Sequence, residues 1–373
     1  MTNLPFNGSL YIQKQTQAIL DRLAQTDGPL YLEVGGHFLI DNHASRVLPG
    51  YIPDSKAQIF CKLAETVDLS IIFCINAKDV VRDRQFSQKY TSFEKYLLKE
   101  LESIKNILNI TPSICFTMLD HDFIPPHIRE LESLLQSQWY HTYHKYMIDG
   151  YPNNTSHILS DHGYGKDDHI PCKSSLVGKM SEGQKGKSLI LVSACGSNSG
   201  KFNTCLSQLY LDHSKNIASS YAKFETFPIR NRPVDHPTNL AYEAATADIG
   251  DYNMIDPYYS SHLPVKGGLG GFVDQSTNYN RDVEAFEILK NFWEIIGISP
   301  LWKERGRGWG SPTEMWINTA GFCITDDQET QKQLSDAAHA EIQSRLDLFT
   351  KLLNSGHGEE DAVERCQKLL KKF

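Results

Sequence analysis

The 373-residue chain has no apolar run longer than a strand, no basic tract and no Cys-x-x-Cys pair. Its longest apolar stretches, SLILVSA and SIIFC, are far too short to cross a bilayer. The N-terminal MTNLPFNGSLYIQ lacks the basic and apolar regions of a secretory signal. We therefore expect a cytoplasmic protein that does not associate with membranes.

Charge and cysteine usage exclude two further classes. The chain has 45 acidic and 37 basic residues, a formal charge of −8, and no polybasic segment that would attract a polyanion. We therefore expect no nucleic-acid partner. The 8 cysteines are scattered, several of them in apolar segments, which predicts reduced, packed thiols and no structural zinc site.

Strand-like and helix-like segments alternate along the chain. The segments with strand character are GPLYLEVGG, LSIIFCINA, SICFTMLD, SHILSD, SLILVSA and YAKFETFPI. Between them, and after the last, apolar residues recur at helical spacing, as in SFEKYLLKELESIKNIL and NTCLSQLYLDH. This alternation predicts an α/β fold with doubly wound, mostly parallel sheets and helices on both faces.

A polar, lysine-rich stretch, GKMSEGQKGKS, has the composition of a flexible joint. We therefore predict an N-terminal Rossmann-like α/β domain over residues 1–177 and a P-loop-like α/β domain over residues 178–325. A helical C-terminal segment would follow over residues 326–373. Exposed helices there are compatible with a homodimer.

The segment LVSACGSNSGKFNTC contains the sharpest chemical signal. A strand that enters a glycine-rich turn and then a helix directs successive N–H groups toward one concavity, where the helix N-terminus favours an anion. The predicted phosphate-binding residues are Gly196, Ser197, Asn198, Ser199, Gly200, Lys201 and Thr204. The P-loop pattern is incomplete, because Cys195 replaces the first glycine and Phe202 replaces the hydroxyl residue that binds magnesium. The same residues also suit an ordinary tight turn.

A second candidate is HILSDHGYGKDDH. Asp161 follows a strand-like run, a position at which open α/β sheets place ligands, and its carboxylate would suit Mg²⁺. Lys166 would add positive charge for a substrate. In the alternative interpretation, Asp161 only caps the turn that follows it.

A third candidate is EVGGHFLIDNHASRVLPG. Gly35 and Gly36 permit a ligand to approach the backbone, while Asp41, His43 and Arg46 supply an acid, a titratable base and an anion clamp. Alternatively, Asp41 caps a helix and Arg46 pairs with it.

Two later segments, KFETFPIRNRPVDHPTNLAYEAATAD and TNYNRDVE, add polar candidates. These are Glu225, His236, Asn239, Glu243, Asn280 and Arg281. Asn239 and Glu243 are four residues apart and share one helix face. Asn280 and Arg281 immediately precede a helix, a position that suits an anionic substrate but also an ordinary helix start.

Taken together, five segments resemble a bacterial family known as domain of unknown function 1846, or uncharacterised protein family 0371. They are LYLEVGGHFLIDNHASRVLPGYIPDSK, SDHGYGKDDHI, GSNSGKFNTCLSQLY, YAKFETFPIRNRPVDHPTNLAYEAATAD and NMIDPYY with NYNRDVE. They occur in the same order from about residue 10 to about residue 325. The resemblance does not by itself supply an activity.

The chain departs from this family in two motifs. Family members read Gly-Pro-Gly-Ser-Gly-Lys in the turn, whereas here it reads Gly-Ser-Asn-Ser-Gly-Lys. A lysine follows their double glycine, whereas His37 follows it here. Family members also extend further at the C-terminus. The resemblance therefore implies a shortened, diverged member that retains phosphate chemistry, with His37 indicating a different substrate or a different charge demand.

We expect an ATP-dependent ligase or kinase that uses Mg²⁺ to activate a small carboxylate or hydroxyl metabolite. The catalytic candidates are Lys201, His43, Arg46, Glu225 and His236. Arg46, Arg230 and Arg281 are the candidate clamps for a carboxylate. Two alternatives remain open: an ATP-independent isomerase, lyase or transferase with His43 or His236 as general base, and a nucleotide-binding protein without turnover.

Overall fold

The computed structural model describes residues 4–84, 92–148, 150–151, 163–171, 187–196, 198–259, 275–295, 310–356 and 358–373. Within these ranges, the main sheet contains β1 (Leu30–Val34), β2 (Leu69–Asn76), β3 (Ser113–Leu119), β4 (Thr142–Tyr146), β5 (Leu189–Ala194), β6 (Ser220–Phe224) and β9 (Trp316–Ile317). The strands are parallel, in the order β4-β3-β2-β5-β1-β6-β9. Strands β7 (Asn253–Ile255) and β8 (Thr277–Tyr279) form a small antiparallel pair.

Helices connect and flank these strands. They are α1 (Gly8–Ala24), α2 (Asn42–Val47), α3 (Ser55–Thr66), α4 (Ala77–Val81), α5 (Phe93–Leu108), α6 (Pro126–Ser137), α7 (Lys201–Ser214), α8 (Pro237–Ala245), α9 (Asn280–Ile295), α10 (Pro312–Met315), α11 (Gln328–Asn354) and α12 (Glu360–Leu370). Side-chain caps begin several of them, including Asn7 on α1 and Ser92 on α5. The predicted α/β fold with a mostly parallel sheet is confirmed.

The central strands are apolar because helices cover them. Every residue of β1 and of β5 is buried, as expected when both faces of a parallel sheet are packed. Strand β4 lies at the edge of the sheet and reads TYHKY, with only Lys145 buried. It has no apolar run and was not predicted. The predicted strand SHILSD lies outside the described residues.

Strands from both sides of the predicted domain boundary alternate in this one sheet. Leu189 of β5 is paired with Leu30 of β1 on one side and with Leu69 of β2 on the other. Strand β6 lies on the far side of β1. The sheet therefore does not divide between residues 177 and 178, because a polar connection does not determine which sheet the next strand joins.

The connections that leave β1 and β5 run in opposite directions across the sheet. The chain passes from β1 to β2 on one side and from β5 to β6 on the other. Because crossovers between parallel strands are right-handed, α3 and α7 lie on opposite faces of the sheet. Helix α3 packs against α1 and α5. In open α/β sheets, ligands bind outside the carboxyl ends of strands where connections reverse in this way. The loops after β1 and β5, here called the β1/β5 crevice, are therefore the candidate ligand-binding region.

Candidate functional site

Strands β1 and β5 are hydrogen-bonded neighbours, so the loops that follow them emerge at the same edge of the sheet. Gly35, Gly36 and His37 follow β1, and the turn from Cys195 to Gly200 follows β5. Gly36 and His37 are exposed, whereas Gly35 is buried. Two of the predicted motifs therefore meet at the β1/β5 crevice.

The turn after β5 is anchored to β2 and β3, the two strands on the side of β5 away from β1. The Asn76 side-chain amide donates to the carbonyl of Asn198 at 2.9 Å, and the Thr117 hydroxyl donates to the carbonyl of Ser199 at 2.9 Å. Gly200 has a φ of 76°, and a Cβ there would lie 3.0 Å from Thr117. Glycine is therefore required at this position. Ser197 lies outside the described residues.

Lys201 is the first residue of α7, a 14-residue helix. Its side chain is half-buried, and Nζ donates back to the carbonyl of Gly196 at 3.3 Å. The Ser199 hydroxyl donates to the same carbonyl at 3.0 Å. A phosphate oxygen would be a stronger acceptor for Nζ than a neutral carbonyl. The arrangement can thus release its ammonium group to an anion at the N-terminus of α7.

Thr204 does not provide the missing hydroxyl of this turn. It is fully buried, and its Oγ1 accepts from the thiol of Cys74 at 3.5 Å and lies 4.0 Å from Sγ of Cys115. The expectation that Thr204 binds the cofactor is therefore corrected. One helical turn after Gly200, the side chain faces the sheet.

Lys56, which was not predicted, organises the loop after β1. Its fully buried Nζ donates to the carbonyl of Gly35 at 2.8 Å and to that of His37 at 3.1 Å, and it lies 3.4 Å from Oδ2 of Asp41. Gly36, between the two carbonyls, has a φ of 64°. In the sequence, Lys56 resembles a surface lysine at the start of an amphipathic helix.

Asp41 caps α2, as the structural alternative predicted. Its Oδ1 accepts from the backbone N–H of Ala44 at 3.0 Å. Burial raises the pKa of Asp41, but the charge of Lys56 and this N–H outweigh that effect and lower its pKa overall. Asp41 is therefore a charged structural residue beneath the loop.

His37 lies at the rim of the crevice. Desolvation and the positive charges of Lys56 and Lys201 lower the pKa of its imidazole below 6.5, with Asp41 opposing them. The ring is therefore neutral at pH 7 and can accept a proton from a ligand.

His43 and Arg46 are held by Glu341 on α11. Arg46 donates through Nε at 2.6 Å and through Nη2 at 2.9 Å, and His43 Nδ1 lies 3.2 Å from Oε1. Burial raises the pKa of Glu341, but the hydrogen bonds from His43 and Arg46 lower it overall. Arg46 is thus not a free anion clamp, nor does it pair with Asp41. Local sequence patterns cannot locate a partner that lies 295 residues away on another helix.

Glu225 follows β6 and lies against the loop after β1. Its Oε1 accepts from the Tyr242 hydroxyl at 3.0 Å, and Oε2 lies 3.1 Å from Nζ of Lys223. Lys223 also bonds to Asp282 at 2.8 Å. A buried charge cluster therefore adjoins the β1/β5 crevice.

Three predicted residues at α8 make structural contacts: His236 immediately precedes the helix, and Asn239 and Glu243 lie within it. His236 caps α8 through Thr238 and contacts Gln331. Asn239 is fully buried and bonds to the backbone of Ile229 and Pro233. Glu243 accepts from the backbone and side-chain amide of Asn253. These contacts support the loop before α8 and strand β7.

The remaining predicted residues are dispersed. Asn280 accepts from the backbone N–H of Tyr252 at 2.9 Å, and Arg281 pairs with Asp251 at 2.8 Å. Lys166 is exposed on a single 3₁₀ turn. Asp161 lies outside the described residues.

In the part of the chain that the structure describes, no group of three or more His, Cys, Asp or Glu side chains is arranged to hold a metal ion. None of the helices in these ranges has the length and apolar character needed to cross a membrane.

The chain is similar to known proteins over most of its length. Residues 4–373 match the family described as Domain of unknown function DUF1846, N-terminal. A UPF0371 protein of Streptococcus equi subsp. equi is 37% identical over 329 residues, covering 88% of this chain and 60% of that protein. A UPF0371 protein of Streptococcus pneumoniae serotype 2 is 39% identical over 337 residues, covering 89% and 61%. The chain thus spans about 60% of the length of these curated relatives.

Proposed function

Since this chain belongs to the DUF1846 family, we propose from its own geometry that it is an ATP-dependent enzyme whose β1/β5 crevice binds the phosphates of the nucleotide. The reaction would be that of a ligase or kinase, activating a small carboxylate or hydroxyl metabolite. One observation carries the proposal: the start of α7, with Gly200 and Lys201, lies at the reversal of chain connections beside the exposed loop of Gly36 and His37.

Each part of the crevice would have a distinct role. Lys201 would exchange its bond to the Gly196 carbonyl for a phosphate oxygen, and the N–H groups at the start of α7 would add a favourable field. Lys56 would hold the Gly35 and His37 carbonyls away from the anion. Magnesium would enter with the nucleotide.

The test is nucleotide binding by calorimetry, with and without Mg²⁺, for the wild type, Lys201→Ala and Lys215→Ala. Lys215 is the matched control because it is an exposed lysine at the opposite end of α7. We expect Lys201→Ala to weaken ATP binding at least tenfold, which is about 1.4 kcal/mol, and Lys215→Ala to leave it unchanged. Equal affinities of all three proteins would contradict the proposal.

A second candidate is an ATP-independent isomerase, lyase or transferase that acts on a phosphorylated metabolite. The neutral imidazole of His37, within the electrostatic reach of Lys56 and Lys201 at the rim of the crevice, favours it because such a group can act as a general base beside a bound phosphate. His43 and His236, the earlier candidates for this base, are engaged by Glu341 and by the start of α8. Thermal stabilisation by sugar phosphates, but not by ATP or ADP, would favour this candidate.

A further inference from the structure

Three arginines are candidates to bind a carboxylate, and they differ in what they already contact. Arg46 donates two hydrogen bonds to Glu341, and Arg281 pairs with Asp251. Arg230 is 9% exposed and bonds through Nη1 to the carbonyl of Thr313. Among the described residues, its Nε and Nη2 have no hydrogen-bond partner.

The free edge of Arg230 has the geometry that recognises carboxylates. Nε and Nη2 donate side by side, so they can bind both oxygens of one carboxylate. Buried polar groups without partners are uncommon and cost stability, and a bound ligand is one way to satisfy them. A ligand carboxylate bound at this edge would satisfy both donors.

Trp316 connects Arg230 to the buried charge cluster. Two cations lie over its ring, with Cζ of Arg230 at 4.9 Å and Nζ of Lys223 at 4.6 Å from the ring centre. Its indole Nε1 is also buried and without a partner among the described residues. A second unused donor thus belongs to the ring that Arg230 stacks on.

Asp282, at the start of α9, supplies an unused acceptor. Its Oδ1 accepts from Lys223, while Oδ2 is buried and has no partner within the described part of the chain. Lys223 is shared with Glu225, so one ammonium group serves two carboxylates. Oδ2 of Asp282 can therefore accept a hydrogen bond from one more donor.

We propose that Arg230, Trp316 and Asp282 form a subsite for a free α-amino acid. The carboxylate would accept hydrogen bonds from Nε and Nη2 of Arg230 and from the Trp316 indole, and the ammonium group would donate to Oδ2 of Asp282. The side chains of Lys223 and Glu225, which adjoin these residues, are 13% and 11% exposed. The role of the amino acid as the acceptor rests on the proposed function, whereas its binding does not.

The first experiment measures the melting temperature of the full chain with each of the twenty proteinogenic α-amino acids, in the absence of nucleotide. We expect at least one of them to raise it. The methyl ester and the N-acetyl derivative of that amino acid should have no effect, because each removes one of the two charges. If no amino acid stabilises the protein, or if either derivative acts equally well, the proposal is overturned.

The second experiment compares Arg230→Lys with Arg281→Lys by calorimetry. Lysine keeps the charge but lacks the two parallel donors, so Arg230→Lys should weaken amino-acid binding about tenfold or more. Arg281→Lys should leave it unchanged, and equal effects of the two substitutions would refute the subsite. If Arg230→Lys fails to fold, Trp316→Phe replaces it, since phenylalanine retains an aromatic ring but removes the indole N–H. An unchanged affinity would then refute the proposal.

Lys201→Ala separates this inference from the proposed function. Loss of ATP binding with retained amino-acid binding would support both proposals. Amino-acid binding by a wild type that binds no ATP would reject the proposed function and preserve the subsite. ATP binding without binding of any amino acid would support the proposed function and reject the subsite.

Discussion

The carboxylate of Glu225 occupies the space that a side chain on Gly35 would need. A Cβ at Gly35 would lie 2.4 Å from Oε2 of Glu225, far inside van der Waals contact. The residues lie at the carboxyl ends of β1 and β6, which are paired strands. Gly35 therefore leaves room for the Glu225 side chain, and of the two glycines only Gly36 faces solvent.

Gly35→Ala should destabilise the fold, because the added methyl group must displace a carboxylate held by Lys223 and Tyr242. We expect a loss of about 1–3 kcal/mol in the free energy of unfolding, measured with urea. Gly310→Ala is the control, since a Cβ there would lie 3.3 Å from the end of the flexible Glu314 side chain. It should change stability by less than about 0.5 kcal/mol. Similar losses for both variants would show that Glu225 does not restrict this position.

Glu341→Gln should loosen the attachment of α11 to α2. The carboxylate is 2% exposed and accepts from Arg46 at 2.6 Å and from Arg345 at 2.8 Å. An amide of the same size cannot pair with two guanidinium groups, so we expect a loss of about 2 kcal/mol in urea denaturation. Asp347→Asn, in the exposed Gln343–Asp347 pair of the same helix, should change stability by less than about 0.5 kcal/mol.

The same carboxylate predicts part of the acid sensitivity. Although burial raises the pKa of Glu341, hydrogen bonds from His43 and Arg46 place it below the ordinary 4.5. Its stabilisation is therefore complete above pH 4.5 and is lost as the pH falls through the lowered value. Urea titrations between about pH 3 and pH 6 should show a shallower acid decline for Glu341→Gln than for the wild type. Parallel curves would contradict this assignment.

Thr204→Val tests whether the turn after β5 uses a hydroxyl as a P-loop does. Because Thr204 Oγ1 faces the thiols of Cys74 and Cys115, valine should leave nucleotide affinity within about twofold of the wild type. A tenfold loss measured by calorimetry would place the hydroxyl in the site.

Sequence periodicity located most of the fold because its central strands are apolar and its helices are amphipathic. The segments LSIIFCINA and SICFTMLD correspond closely to β2 and β3. Periodicity does not reveal strand β4, because an edge strand can remain polar. It does not reveal β9 either, because that strand has only two residues. The position of β5 between β1 and β2 depends on pairing over more than a hundred residues, which no local pattern encodes.

The candidate site was predictable where its chemistry is local. The glycine-rich turn and Lys201 could be identified because backbone and side chain act within one short segment. Lys56 could not, because its role depends on burial and on carbonyls 19 and 21 residues away. Arg46 was misjudged for the same reason: whether a guanidinium group is free depends on a distant carboxylate.

His37 provides a test of the crevice that requires no ligand. Desolvation and the charges of Lys56 and Lys201 lower the pKa of the imidazole below 6.5. Removing one cation should raise that pKa toward 6.5, so Lys201→Ala should shift the His37 titration to higher pH in an NMR experiment. Lys215→Ala, at the far end of α7, should leave it in place. If Lys201→Ala also leaves the titration unchanged, the ammonium group does not act on His37, and the shared site at the β1/β5 crevice loses its electrostatic basis.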